Sequence, residues 1–141
     1  MLKIPSDRKL LQEIYDGHYQ GFAAYSKTEP TRASKIMVPI DLPAIAKHFK
    51  VDIDLIFGRL YYHLQAKHGY KQPNGAIVAF FSPVAGGDSN CVNMPLLSAV
   101  LAGMQEEHGR QLWANWLSIT SIVVSIASFI VSIFALSLSG R

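Results

Sequence analysis

One cysteine, Cys91, is all the thiol chemistry the sequence holds, and a lone thiol cannot close an intramolecular disulfide. The chain therefore does without a disulfide framework and suits a reducing compartment. Metal-ligand spacing is missing as well: the histidines at 18, 48, 63, 68 and 108 form no HxxxH pair, and no HExxH occurs. His63 and His68 stand five apart, on different sides of a helix. The Gly86-Gly87 pair lacks the Lys and Ser or Thr that would follow it in a phosphate-binding loop. No motif places a base beside Cys91, so a buried strand cysteine is its simpler role. No cofactor, metal or enzymatic activity is expected.

Charge of either sign runs out after Arg110, beyond which only Arg141 carries any. Up to Arg110, twelve Lys and Arg face ten Asp and Glu, too small an excess for the polybasic footprint of a nucleic-acid binder. The opening stretch MLKIPSDRKLLQEIYDGHYQ has neither the unbroken apolar core nor the small-residue cleavage site of a secretory signal, so nothing at this end directs export.

What the chain does have is Leu117 to Leu138, LSITSIVVSIASFIVSIFALSL, without a charge, a Pro or a Gly. At ~1.5 Å per residue this run reaches roughly 33 Å, enough to cross a hydrocarbon core of ~30 Å. Small residues recur along it at Ala114, Ser118, Ser121, Ser125, Ser128, Ser132, Ala135 and Ser139, alternating steps of four and three. That is one seam of a heptad, and small side chains let membrane helices approach closely. Self-association in the bilayer is therefore expected, with left-handed crossing. Trp113 and Trp116 suit an interfacial anchor. The layout resembles that of tail-anchored proteins, which implies insertion after translation with the N-terminal domain in the cytoplasm. Four segments follow: a domain over 1–108, a juxtamembrane joint over 109–116 flexing at Gly109, a transmembrane helix over 117–138 and a short tail over 139–141.

Ser6 can cap a first helix from about Asp7 to Tyr19, with Gly17 and Gly21 weakening its end. A polar loop through Pro30 leads into a short strand over 35–40, where Pro39 marks an edge or a strand end. Asp41, with Pro43 behind it, caps a two-turn helix faced by Leu42, Ile45, Ala46 and Phe49. Asp52 then caps a second helix, with Ile53, Ile56, Phe57, Leu60 and Leu64 on one face and Gly69 ending it. Pro73-Asn74-Gly75 is a turn between Tyr70-Lys71-Gln72 and the strand 76–81, and Ser89 to Asn93 can return as a partner strand after a Gly86-Gly87-Asp88 loop. Met94 or Asn93 opens the last helix, along which the seam extends back through Gln111, Glu107, Met104, Val100 and Leu97.

Ile45-Ala46, Phe49, Val51-Asp52, Ile56 and Leu60 stand where winged helix-turn-helix domains place core residues, and residues 36–93 resemble that fold in element order. The resemblance implies an α+β chain: a small winged-helix-like cytosolic domain followed by one C-terminal transmembrane α-helix. It also implies that the helix after Asp52 could read DNA. The leading carboxylates Asp52 and Asp54 work against that, since they would meet phosphate. A protein-interaction module with Ile53, Phe57, Tyr61 and Arg59 as its partner surface is the favoured expectation, and a membrane-tethered DNA-binding regulator the alternative. Expected partners are the lipid bilayer, a second copy through the span, and an unidentified protein; nucleic acid is possible but not favoured.

Overall fold

The computed structural model describes the backbone of residues 4–139 and the side chains of 4–138. Gly140 and Arg141 of the short tail, and the Ser139 side chain of the seam, lie outside the described residues. The chain is α+β and divides into two units, 1–103 and 104–141.

In the first unit, α1 (Asp7–Ala23) starts where the Ser6 hydroxyl accepts the Lys9 N–H, and it buries Leu10, Leu11 and Ile14. It runs past the expected end at Tyr19. Gly17 and Gly21 are helical with open space around them, and the extra turn is held by side chains: Tyr19 rests on Tyr15 and Phe22, and Lys35 lies over the Phe22 ring. Arg32 fastens the following loop, donating to the carbonyls of Gly21, Ser34 and Lys35 and lying 4.9 Å over the Tyr25 ring.

β1 (Met37–Pro39) leads into α2 (Leu42–Phe49), where the Asp41 carboxylate accepts the Ala44 N–H at 2.9 Å. Lys50 ends α2 in the left-handed region at φ 55. A side chain is strained there and glycine is not. Lys50→Gly is expected to stabilise the unit by about 0.5–1 kcal/mol, read as a raised denaturant midpoint at unchanged slope.

Asp52 caps α3 (Ile53–Gly58) by accepting the Asp54 N–H. The chain then passes through a π-helical segment (Arg59–Leu64) into α4 (Gln65–His68). Where one regular helix was expected, its middle is wider. Ile56, Leu60 and Leu64 are all buried and stand four apart, a spacing that drifts by ~40° per step in an α-helix of 3.6 residues per turn. The wide turn removes this drift and keeps all three against the core.

β2 (Tyr70–Lys71) and β3 (Ile77–Val78) form a hairpin closed by the predicted turn: Gly75 donates to the Gln72 carbonyl and takes φ 87. The expected strand 76–81 is split, because the chain leaves β3 and begins β4 (Phe81–Ala85) only after Phe80. β4 pairs antiparallel with β5 (Asp88–Asn93), which pairs with β1 on its other side, giving the order β1-β5-β4. Ala85 pairs with Asp88, so the turn is Gly86-Gly87 alone, at φ 59 and 96. Two successive positive φ values are what a tight hairpin matched to strand twist requires. The two prolines of the three-stranded sheet lie on edge strands: Pro39 on β1 and Pro83 on β4. Along β4 the Ser82 hydroxyl takes up the Val84 carbonyl, which blunts that edge.

The Asn93 side chain accepts the Leu96 N–H at the start of α5 (Met94–Ser139). Within the first unit this helix buries Met94, Leu97 and Leu101. Leu97, where the seam was expected to reach back, is thus committed to the core of the domain. The helix continues through Gly109 and the expected joint at 109–116. In the second unit it is long and apolar enough to span a membrane, and no side chain from Leu117 to Leu138 is buried.

Candidate functional site

The face expected to meet a partner is partly assembled. Phe57 stacks on Tyr61 with ring centroids 5.6 Å apart and meets Phe81 edge-on, while Tyr61 meets Tyr62 edge-on at 5.0 Å. Ile53 is 39% exposed at the start of α3. Between the π-helical segment, α4 and the β2–β3 hairpin lies a groove whose walls include Tyr61, Tyr62, Gln65, Tyr70, Lys71 and Ile77. Tyr62 and Ile77 protrude most, at 75% and 76% exposure. Tyr62 is outward, as its place on the helix implied, while Tyr70 and Ile77 were not foreseen as part of this surface. The signal was present in the Tyr61-Tyr62 pair and in a hairpin of few residues following directly on the helix, which has to fold back beside it.

Gln65 builds the floor of this arrangement. Its Oε1 accepts the N–H groups of both Phe80 and Phe81, at 2.7 and 2.9 Å. Those amides therefore turn toward the helix where β4 begins. Gly69 leaves room for the same side chain, since a Cβ there would run into the Gln65 amide and its carbonyl.

Arg59 is engaged elsewhere. Its Nε donates to Asp7 Oδ1 at 2.7 Å, and His63 Nε2 lies 3.2 Å from Asp7 Oδ2. Asp7 is in the first turn of α1, so this cluster ties α1 to the π-helical segment. Burial pushes the Asp7 carboxyl up, but its hydrogen bonds and charge attraction with Arg59 and His63 outweigh this and hold it below its ordinary 3.8. Desolvation, with help from the Lys67 and His63 charges, lowers His68 from its ordinary 6.5; its Nε2 is buried without a partner. Both groups act in the same direction. Each is depressed in the fold, so each contributes stability above its unfolded value that is lost as pH falls through the folded one. Acid unfolding is expected in two stages, the first below pH 6.5 from His68 and the second below 3.8 from Asp7. Asp7→Asn should flatten the second stage, deepen the first because the Asp7 charge that holds His68 up is gone, and cost about 1–2 kcal/mol at neutral pH; a denaturant series against pH measures both.

Cys91 is fully buried at the centre of the sheet. Burial pushes its thiol up, aided by the Asp88 charge, which keeps it protonated and unreactive at neutral pH. Among the described residues no group of three His, Cys, Asp or Glu side chains converges on a metal-sized site.

In the second unit the seam hydroxyls bond within their own helix. Ser118 donates to the Ala114 carbonyl, Ser121 to Ser118, Ser125 to Ser121, Ser128 to Val124 and Ser132 to Ser128, at 2.8–3.0 Å. Thr120 and Ser137, off the seam, do the same. Trp113 and Trp116 are 71% and 67% exposed. Compared with protein-family models, with curated proteins and with solved structures, the chain finds no match in any of the three.

Proposed function

We propose that this chain is a single-pass membrane protein whose winged-helix domain faces the cytoplasm and serves as a protein-interaction module, with copies associating through the small-residue seam. The observation that carries the proposal is the run 117–138, apolar and without a buried side chain. An exposed surface of that length and composition is stable only in lipid or against other apolar helices. The order helix, strand, helix, helix, two hairpins, helix, with β5 between β1 and β4, supports a winged-helix domain. Its departures from the simple form are the π-helical segment and the added β2–β3 hairpin. The free, buried Cys91 thiol fits a reducing cytoplasm.

A protein partner is favoured over DNA by the fate of the charges. Arg59, a cation of the reading helix, is spent on Asp7, and Asp52 and Asp54 stand at the helix start. Exposed aromatic side chains take the place of phosphate contacts. Three measurements on the full chain in bilayers test this: resistance to alkaline carbonate extraction, digestion of the domain only from the cytoplasmic side, and binding to duplex DNA across a salt series. Integration, cytoplasmic digestion and no salt-dependent DNA binding are expected. A steep salt slope would replace the interaction module with a tethered DNA-binding regulator.

A further inference from the structure

Three imidazoles fasten α1 to the elements beside it. His63 Nε2 lies 3.2 Å from Asp7 in the first turn, His48 Nε2 on α2 lies 3.4 Å from Glu13 Oε2, and His18, toward the helix end, meets the link between β1 and α2. The first two are pairs with carboxylates, which gain attraction when the imidazole charges. His18 is built the other way round. Its Nδ1 is 2.9 Å from the Ile14 carbonyl, which can only accept, so Nδ1 carries the proton. Its Nε2 is 3.3 Å from the Asp41 backbone nitrogen, whose N–H can only donate, so Nε2 is bare. The arrangement fixes one neutral tautomer, and a second proton would set one N–H against another.

The charged groups about that end of α1 give an imidazolium little support. The Asp41 carboxylate already receives the Ala44 N–H as the cap of α2. Arg32, which donates to the Gly21 carbonyl, and Lys35, over the Phe22 ring, are cations. Glu13 is engaged by His48 and Asp16 by the Gln12 side chain, while β1, which packs on α1, brings no charged residue. The end of α1 is also easily moved. Gly17 and Gly21 flank His18 and weaken the helix on either side of it, and a cavity of about 190 Å³ lies among Tyr15, Tyr19, Phe22, Met94, Pro95 and Ser98, where α5 begins. We propose that His18 is a proton-operated latch: neutral, it holds the end of α1 to the cap of α2; charged, it lets that end go, while the Asp7 and Glu13 pairs keep the first half in place. The latch bond is present above the range in which imidazoles charge, about pH 5–8, and is lost as pH falls through it. Release alters the packing of Tyr19 and Phe22 against Met94, so a change in pH reaches the start of α5. The latch is local and stands independently of the membrane reading given above.

The test uses the full chain in lipid micelles, with nitrogen-labelled histidine rings and labelled methionine methyl groups followed by NMR. Above the imidazole range, His18 is expected with its proton on Nδ1 and none on Nε2. As pH falls through that range, the protection of the Asp41 amide, corrected for the intrinsic exchange rate, should drop by roughly fivefold or more. The Met94 methyl resonance should move with it while the circular dichroism of the helices is unchanged. His18→Gln offers an acceptor oxygen that does not titrate, and should keep the Asp41 amide protected at every pH. His18→Ala should leave it unprotected throughout; the half-buried position of His18 lets both variants fold. A proton on Nε2 of neutral His18 overturns the proposal, as does a response of Asp41 and Met94 that persists in His18→Gln. So does an Ala44 amide that loses protection in acid while Met94 stays still, since the Asp41 carboxylate would then have swung onto the imidazolium and kept the latch shut. Core amides lost together with that of Asp41 would mean global unfolding through His68, and overturn local release.

Discussion

Gln65→Leu lowers the stability of the domain by about 3 kcal/mol, the expected result of leaving two largely buried amides without an acceptor. Leucine matches glutamine in size, so packing is nearly conserved. What is lost is the single oxygen that receives the N–H of Phe80 and of Phe81. Each orphaned amide costs about 1–3 kcal/mol where water cannot reach it. The partial exposure of Gln65 argues for the lower half of the combined range. For a domain of this size that is a fall of roughly 10–20 °C in melting temperature. Hydrogen exchange at the Phe80 and Phe81 amides in the full chain is the direct readout, and Gln65→Glu, which keeps an acceptor oxygen, should restore most of the protection. Unchanged exchange in the leucine variant would show that the amides find water and that Gln65 is dispensable.

Replacing Ser121, Ser125 and Ser128 together by leucine should reduce self-association of the full chain in bilayers by well over tenfold, because three large side chains on one seam hold the backbones apart. Replacing the same three by alanine should leave it nearly unchanged. The contrast comes from the hydroxyl geometry: each of these protons is already given to a carbonyl of the same helix, so the serines serve a neighbour by being small and not by donating to it. Energy transfer between differently labelled copies, diluted with lipid, measures both variants. Association that survives the leucine triple removes the seam as an interface. Association lost in the alanine triple means that hydroxyls cross between helices.

How much of this could be read from the residues follows the range of the forces involved. Asp41 before Pro43, Asp52 before α3, Pro73-Asn74-Gly75 and the Gly86-Gly87 pair all act within a few residues, and each marks a cap or a turn where expected. The apolar run needed only its length and composition. The π-helical segment was invisible because nothing in Arg59–Leu64 prefers a wide turn locally; it follows from keeping Leu60 and Leu64 buried along with Ile56. Arg59 was counted as free surface because its partner, Asp7, is 52 residues away in sequence. The split of the strand 76–81 has the same cause: Phe80 and Phe81 give their amides to Gln65, 15 and 16 residues back. Phe57 and Tyr61 stack on each other one helical turn apart, as their spacing implied, while Tyr70 and Ile77 join Tyr61 and Tyr62 only through the hairpin.

The wide turn at Arg59–Leu64 also separates two jobs that one helix normally cannot tune independently. In a regular helix, adding or removing one residue rotates everything beyond it by ~100°, burying and displaying faces together. Here Ile56, Leu60 and Leu64 hold the inner register, while the slack of the wider turn is taken up on the outside, where Tyr61 and Tyr62 lie. Shortening the segment by one residue could restore α-helical winding with the same inner anchors and present a different outer set. The segment is thus a place where this lineage could change what the domain grips without redesigning what holds it together.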